Sequence, residues 1–180
     1  MNVVICGETE AELADTVIRA LAANGGVQYS RGSGLMRDPS GVKPLHNLYC
    51  MGDALRVGLD RAVVIFNTDM PPGGELYLPE RCRCIVREED EALISLLKRR
   101  TSCPLFLCGM SSACAFSASS IDELNPVVSI QSRIETESGY VTEPMDIPLR
   151  LTKPAGLFAM LSACAAVALS GPEESRVWSF

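Results

Sequence analysis

The residues best suited to bind a ligand follow three short apolar runs, NVVIC, VVIF and LFLC, each with the composition of a buried strand. In an open α/β sheet, ligands bind beyond the carboxyl ends of the parallel strands. The polar residues and glycines that follow these runs are therefore the predicted ligand contacts. They are Gly7, Glu8, Thr9, Asn67, Asp69, Gly109, Ser111 and Ser112. The sequence identifies no catalytic residue among them.

The same residues also fit an interpretation in which they only shape the chain. Gly7 and Gly109 allow the backbone to turn after a strand, and Thr9 followed by Glu12 matches the capping box that starts a helix. The segment that starts at Asn67 has the residues of a turn. At the level of sequence, ligand contacts and turn-forming residues are both open interpretations.

The eight cysteines do not form a convincing reactive or metal-binding pattern. A reactive thiol needs a neighbouring base or a positive field, which the surroundings of Cys6 and Cys108 lack, so both are predicted to be small buried hydrophobic residues. Cys82, Cys84 and Cys103 do not have the paired C-x-x-C spacing of a zinc or iron–sulfur site. The sequence therefore predicts no metal site and no cofactor.

The elements that carry these residues alternate between strands and helices, which indicates an α/β domain. The clearest predicted strands are Asn2–Cys6, Arg61–Met70, Cys82–Val86 and Leu105–Cys108. The predicted helices are Glu10–Asn24, Glu88–Arg100 and Pro154–Gly171. Residues 27–60 are less regular, and their pattern favours a strand near Val27–Tyr29, a loop around Arg31–Gly41 and a weak element near Asn47–Leu59.

Two later segments, Asn125–Ile134 and Pro144–Leu151, alternate apolar and polar residues and predict half-exposed antiparallel strands. The last helix is apolar nearly all round, so it is buried in the core or against a second subunit. We predict an α/β fold with three layers: a mainly parallel sheet, helices on both faces and an antiparallel hairpin extension. Residues 1–171 form the single predicted domain, and residues 172–180 form a C-terminal tail that is loose or docked through Trp178 and Phe180.

The overall composition excludes several classes of partner. The net charge is −6 and the basic residues are scattered, so no nucleic-acid partner is expected. No apolar stretch reaches the roughly 20 residues of a membrane span. The first residues lack the basic region of a signal peptide, which predicts a cytoplasmic protein with reduced thiols. The expected partners are a protein or a second copy of the chain.

Four segments, in this order and spacing, resemble the later part of the central domain of the Mur ligases and folylpolyglutamate synthetases. They are VVIFNTDMP, CPLFLCG, VVSIQSRIETESGYVTEPMDIPLRL and AGLFAMLSACAAVALSG, within residues 61–171. The resemblance implies the same three-layer fold. For active members of the family it also implies ATP-driven amide ligation.

The chain departs from that family where ATP is bound. It contains no Gly-Lys-Ser/Thr, and its first strand is followed by the acidic segment GETEAELAD. The family's His-Asn-x-x-Asn at the start of the last helix is replaced at Ala155, Gly156 and Ala159, and His46 is the single histidine. The resemblance therefore predicts a non-catalytic domain that has lost ATP binding and has a binding or assembly role. The alternative is a small-ligand-binding protein or an enzyme that uses the cleft at the strand ends.

Overall fold

The structure is a computed structural model that describes residues 1–7, 11–31, 34–37, 45–51, 57–67, 76–136, 139–171 and 178–180. Among the residues predicted to contact a ligand, Glu8, Thr9 and Asp69 lie outside the described residues. The predicted cap at Thr9 lies outside them as well.

The described chain contains thirteen strands and three helices. The strands are β1 (Asn2–Cys6), β2 (Val27–Arg31), β3 (Gly34–Arg37), β4 (His46–Met51), β5 (Val63–Phe66), β6 (Arg83–Arg87), β7 (Leu105–Gly109), β8 (Phe116–Ser120), β9 (Val127–Ile130), β10 (Ile134–Glu135), β11 (Val141–Thr142), β12 (Met145–Arg150) and β13 (Trp178–Ser179). The helices are α1 (Ala11–Ala23), α2 (Glu91–Arg100) and α3 (Leu157–Ser170).

Eleven of the described strands form one sheet in the order β13-β12-β9-β8-β7-β6-β5-β1-β4-β2-β3. The strands from β8 to β2 in that order are all parallel to their neighbours. The antiparallel strands β9 and β12 extend the sheet at one side, and β3 closes the other side on β2. A separate hairpin, β10 with β11, interrupts the chain between β9 and β12. The predicted parallel sheet with an antiparallel extension is confirmed.

Helices cover both faces of the parallel sheet, as the apolar runs of its strands require. On one face, α1 and α3 pack on each other and on the sheet, within a core of aliphatic and alanine side chains. On the opposite face, α2 contributes Leu93 and Leu97 to a smaller core that also contains Cys6, Cys84 and Cys103. The predicted three-layer α/β architecture is therefore confirmed.

The last helix is buried inside the single chain. Every residue of α3 from Ala159 to Leu169 is buried, because α1 and the strands of the sheet enclose it. Of the two predicted environments for this helix, the core is the one observed. No helix among the described residues is long and apolar enough to cross a membrane.

Strands β3 and β8 differ from the sequence-based expectations, the weak element is now a defined strand, and the docked alternative for the C-terminal segment is the one observed. The predicted loop around Arg31–Gly41 contains β3, and the weak element near Asn47–Leu59 is the strand β4. Strand β8 was not predicted, because its sequence FSASS lacks both an apolar run and a regular alternation; its neighbours β7 and β9 supply the burial. In the C-terminal segment, Trp178 and Phe180 are buried, and β13 pairs with β12.

Candidate functional site

The carboxyl edge of the parallel sheet brings two of the predicted residues, Gly7 and Asn67, directly together. Gly7 has a φ of 106°, a left-handed conformation that favours glycine. A Cβ atom at Gly7 would lie 2.8 Å from the backbone oxygen of Asn67, and the amide of Asn67 donates to the carbonyl of Cys6 at 2.9 Å. The absence of a side chain at Gly7 is thus what lets the ends of β1 and β5 lie this close.

The buried Asn67 side chain holds the arginine at the end of β6. The Nη2 atom of Arg87 donates to the Oδ1 atom of Asn67 at 3.1 Å. The guanidinium carbon of Arg87 lies 4.4 Å from the centre of the Phe158 ring, which is a cation–π contact with the first turn of α3. The Nε atom of Arg87 is buried without a hydrogen-bond partner. Three elements, β5, β6 and α3, thus fix the position of one guanidinium.

The next residue, Glu88, organises the turn after β7. Its Oε2 atom accepts hydrogen bonds from the Cys114 thiol at 2.5 Å and from the backbone amide of Ser111 at 3.1 Å. Hydrogen bonding with the Cys114 thiol, then with the Ser111 side chain and then with the Ser111 amide lowers the pKa of Glu88 to about 2. A Cβ atom at Gly109 would overlap the Glu88 side chain, so this glycine leaves room for the carboxylate to cross the strand end. Gly109 and Ser111 therefore position Glu88 in this structure.

A second carboxylate joins the two helices at this edge. Glu12, in the first turn of α1, accepts a hydrogen bond through Oε1 from the backbone amide of Gly156, which is the N-cap residue of α3. The N-terminus of a helix carries a partial positive charge and free amide groups, so it attracts an anion. In this chain the anion is the chain's own Glu12 side chain.

These groups surround an open cleft of about 560 Å³ at the carboxyl edge. The charged residues that line it are three acids and one base, Glu12, Glu89, Asp90 and Arg87. The remaining lining residues are apolar or glycine and come mainly from β7 and the first turns of α1 and α3: Leu13, Cys108, Gly109, Gly156, Leu157, Phe158, Ala159 and Leu161. The volume suits a small molecule, and this edge of a parallel sheet is where ligands bind in α/β folds.

Comparison with solved structures shows which fold this is. The chain superposes on a UDP-N-acetylmuramate:L-alanyl-gamma-D-glutamyl-meso-diaminopimelate ligase from Neisseria meningitides with a TM-score of 0.60 and 10% sequence identity. It superposes on MurF from Acinetobacter baumannii with a TM-score of 0.57 and 12% identity, and on a murein peptide ligase from Psychrobacter arcticus with 0.55 and 11%. The chain has the fold of a Mur ligase central domain.

The likeness covers nearly all of this chain but only part of the ligases. The match covers 97% of this chain and 63% of the Neisseria ligase, and 97% of this chain and 43% of MurF. For the Psychrobacter ligase the two shares are 94% and 44%. No family model matches the sequence, and no match was found among curated proteins. The similarity to Mur ligases is therefore one of fold.

Within this Mur ligase-type fold, the remaining predicted contacts do not all meet. Ser112 is exposed and lies outside the cleft, beside a separate pocket that is also lined by Lys98 and Gln131. Gly109 lines the cleft, whereas Gly7, Asn67 and Ser111 support the residues around it. The structure thus brings most of the described candidates to one edge, and it gives Gly7 and Asn67 supporting roles in the turn.

Seven of the eight cysteines are buried, as predicted for Cys6 and Cys108, and Cys50 is half-buried. Burial raises the pKa of Cys6 to about 12 and raises the pKa of Cys108, which opposes formation of a thiolate. The thiol of Cys114 also has a raised pKa, because of burial and then the hydrogen bond to the Glu88 carboxylate, so it acts as a donor. Among the described residues, no group of three or more histidine, cysteine or acidic side chains has the arrangement of a metal site.

Sequence reasoning missed Arg87, and it named Glu12 only in the capping box and in the acidic segment after the first strand, not as a partner of Gly156. The signal for Arg87 was present, because it directly follows the predicted strand Cys82–Val86, and the rule that ligands bind at carboxyl strand ends applies there as it does at Gly7 and Asn67. No local pattern pointed to the bond between Glu12 and Gly156, since the two residues are 144 positions apart.

Proposed function

We propose that this chain is a non-catalytic, Mur ligase-like domain that has lost ATP binding and has a binding role. The observation that carries the proposal is the hydrogen bond from the Gly156 amide to the Glu12 carboxylate. Phosphate groups bind at helix N-termini because free amides and the helix dipole favour an anion there. At α3 that position is occupied by a covalently attached carboxylate.

The charges around the cleft support the same proposal. Glu12, Glu89 and Asp90 oppose a single base, Arg87, so the described lining carries a net negative charge. A nucleoside triphosphate brings several more negative charges, and like charges at close range repel strongly where water is scarce. A cleft of this charge disfavours a triphosphate and tolerates a ligand with little negative charge.

The connection between β1 and α1 lacks the parts of a phosphate-binding loop. A loop of the type G-x-x-x-x-G-K-[ST] places backbone amides and a lysine on the phosphates. Here the four residues from Gly7 to Glu10 connect the strand and the helix, and they contain two glutamates and no lysine. The lysine that should balance a phosphate is therefore missing from the sequence before α1. At the start of α3, the Glu12 carboxylate already occupies the Gly156 amide.

Isothermal titration with ATP and Mg²⁺ tests the proposal. We expect no binding tighter than about 1 mM to the unmodified chain. Micromolar binding would contradict the loss of ATP binding. The variant Glu12→Ala leaves the Gly156 amide open: if it gains ATP binding, Glu12 alone excludes the nucleotide, and if it does not, the missing lysine is sufficient.

Two forms of the binding role can be distinguished. One is a small ligand in the cleft, which is favoured by the cleft volume and by the fixed position of Arg87. The other is association with a protein partner or with a second copy, as the composition suggested. Helix α3 is not available for that association because it is buried within the chain. Light scattering on the purified chain separates a monomer from a homo-oligomer, and a thermal-shift screen of metabolites tests the cleft.

A further inference from the structure

We propose that Arg87 is the anchor for a ligand carboxylate. The cleft then accepts a small compound with one carboxylate on a carbon body that bears no further negative charge. This inference rests on the small-ligand form of the proposed function and adds the chemical class of the ligand. It is carried by the contacts of Arg87, by the acidic rim and by the apolar wall.

The guanidinium of Arg87 has donors to spare. Its Nη2 atom bonds the Oδ1 atom of Asn67, and its Nε atom is buried without a partner. Its Nη1 atom is neither bonded to a described residue nor buried, so this is the part of the group that is open to the cleft. Although three acids line the same cleft, no carboxylate of the described residues lies within ion-pair distance of Arg87. Within the part of the chain that the structure describes, no carboxylate therefore pairs with this charge in the cleft.

The position of this charge is fixed before any ligand arrives. The Phe158 ring supports one face of the guanidinium at 4.4 Å, and the buried Asn67 holds its edge. Arginine normally loses side-chain freedom when it binds, and contacts that hold it in advance reduce that entropic cost. Arginine N–H groups form charge-assisted hydrogen bonds to carboxylates and phosphates alike, and here the open Nη1 atom is the donor. The acidic lining of the cleft disfavours the more highly charged phosphate and leaves a carboxylate as the matching anion.

The acidic residues around the cleft restrict the charge of any further group on the ligand. Glu12, Glu89 and Asp90 surround the cleft and include no second base among the described lining residues. A second anionic group on the ligand would meet these carboxylates with no cation to compensate, and such unpaired repulsion is a common source of specificity. A neutral or cationic body avoids this cost.

The wall on the α3 side accounts for the carbon body. Leu13 and Leu161 line the cleft but are buried, and the half-buried Leu157 and Phe158 offer the exposed apolar surface. An apolar body loses contact with water against these side chains, which favours binding in proportion to the area buried. The cleft thus combines one anion contact with a surface for hydrocarbon.

A series of four compounds with the same chain length tests each part: hexanoate, 6-aminohexanoate, adipate and hexanamide. Binding is measured by titration calorimetry and by NMR shifts of the Leu157 and Leu161 methyl groups in the unmodified chain. We expect hexanoate and 6-aminohexanoate to bind and to shift those methyl groups. We expect adipate and hexanamide to bind at least about tenfold more weakly, because one adds a repelled carboxylate and the other lacks the charge.

Variants of Arg87 complete the test. Arg87→Met should reduce hexanoate affinity by about tenfold or more, and Arg87→Lys should reduce it less. Arg100→Met is the matched control, since Arg100 is exposed at the end of α2, and it should leave affinity unchanged. If Arg87→Met fails to fold, the compound series and the NMR shifts in the unmodified chain still decide the matter.

The inference is overturned if hexanamide or adipate binds as well as hexanoate, if hexanoate shifts no methyl group of the cleft, or if Arg87→Met and Arg100→Met behave alike. ATP with Mg²⁺ is titrated into the same samples. ATP binding would overturn the loss of ATP binding whatever the carboxylates do. Absence of both ATP and hexanoate binding would overturn only the carboxylate site.

Discussion

The two edges of the parallel sheet use polar groups in opposite ways. At the amino edge, where the parallel strands begin, the Nε2 atom of His46 bonds the carbonyl of Asn24 at 2.7 Å. At the same edge, the Nη2 atom of Arg83 donates to the carbonyl of Thr136 at 3.1 Å. These side chains fasten a helix end and a hairpin to the strands. At the carboxyl edge, Arg87 is held in place by its neighbours and still presents an unbonded nitrogen to an open cleft.

This difference separates polar groups that stabilise the fold from a charged group that is available to a ligand. A buried polar group that is satisfied within the chain contributes to the fold, and it has little left to offer a ligand. A charged group that is held rigidly and left unpaired costs folding free energy and favours a ligand of opposite charge. By that criterion we propose that the carboxyl edge is the functional edge, and the following three tests compare it with the amino edge.

The largest expected effect comes from a methyl group at Gly7. The variant Gly7→Ala would force alanine into a left-handed conformation and bring its Cβ atom to 2.8 Å from the Asn67 carbonyl. We expect the free energy of unfolding to fall by about 2–3 kcal/mol. Chemical denaturation followed by circular dichroism measures the change.

Gly139 near the amino edge is the control for this variant. It also has a positive φ, 84°, but a Cβ atom there would meet nothing within 4 Å. Gly139→Ala should therefore cost only the backbone strain, about 1 kcal/mol. Equal losses from the two variants would show that the contact between Gly7 and Asn67 does not constrain the carboxyl edge.

The next effect concerns the carboxylate that orders the turn after β7. Glu88→Ala leaves the amide of Ser111 and the buried thiol of Cys114 without their acceptor, so we expect a loss of about 1–2 kcal/mol in the free energy of unfolding. Because folding lowers the pKa of Glu88 to about 2, its contribution is complete above the unfolded pKa, near 4.5. It disappears as the pH falls from there toward 2.

Denaturation curves recorded across the acid range test whether the free energy of unfolding falls with pH in this way. The unmodified chain should lose stability between about pH 4.5 and 2, and Glu88→Gln should lose less over the same range because it cannot be protonated. A profile for Glu88→Gln that is parallel to that of the unmodified chain would mean that other carboxylates account for the acid sensitivity.

The sequence was sufficient for features that depend on local pattern. The apolar run of β5, the spacing of Leu13 and Val17 in α1 and the all-round apolar character of α3 each predicted the observed burial. The resemblance to Mur ligases rested on the same strands and helix, and the structural comparison confirmed it.

The features that escaped prediction depend on contacts distant in sequence. Strand β8 is made mostly of serine and alanine, and its burial comes from the strands on either side. The bond between Glu12 and Gly156 and the stacking of Arg87 on Phe158 join residues far apart in the chain. A sequence shows which residues can bond or stack, but only the packing of α3 on α1 and the sheet decides which partner each one meets.

The smallest expected effect is a pH dependence at the amino edge that originates from His46. Burial is the main cause that lowers the pKa of His46, the positive N-terminus adds to it, and the bond to Asn24 acts in the opposite direction. The Nδ1 atom has no partner, so the folded chain has nowhere to place a second ring proton. The unfolded chain takes up that proton near pH 6.5, so the free energy of unfolding should fall as the pH drops below about 6.5.

The variant His46→Gln isolates this effect, because glutamine can still donate to Asn24 and does not titrate. Cys103 also titrates in this range, since a hydrogen bond from Cys84 lowers its pKa to about 6, so only the difference between the two chains is assigned to His46. We expect the free energy of unfolding to change less with pH in His46→Gln than in the unmodified chain between about pH 5 and 7. The two slopes should differ by less than about 1.4 kcal/mol per pH unit. Superimposable slopes would mean that the imidazole is protonated equally in both states. The amino edge would then, like the carboxyl edge, hold a charged group that the fold does not neutralise.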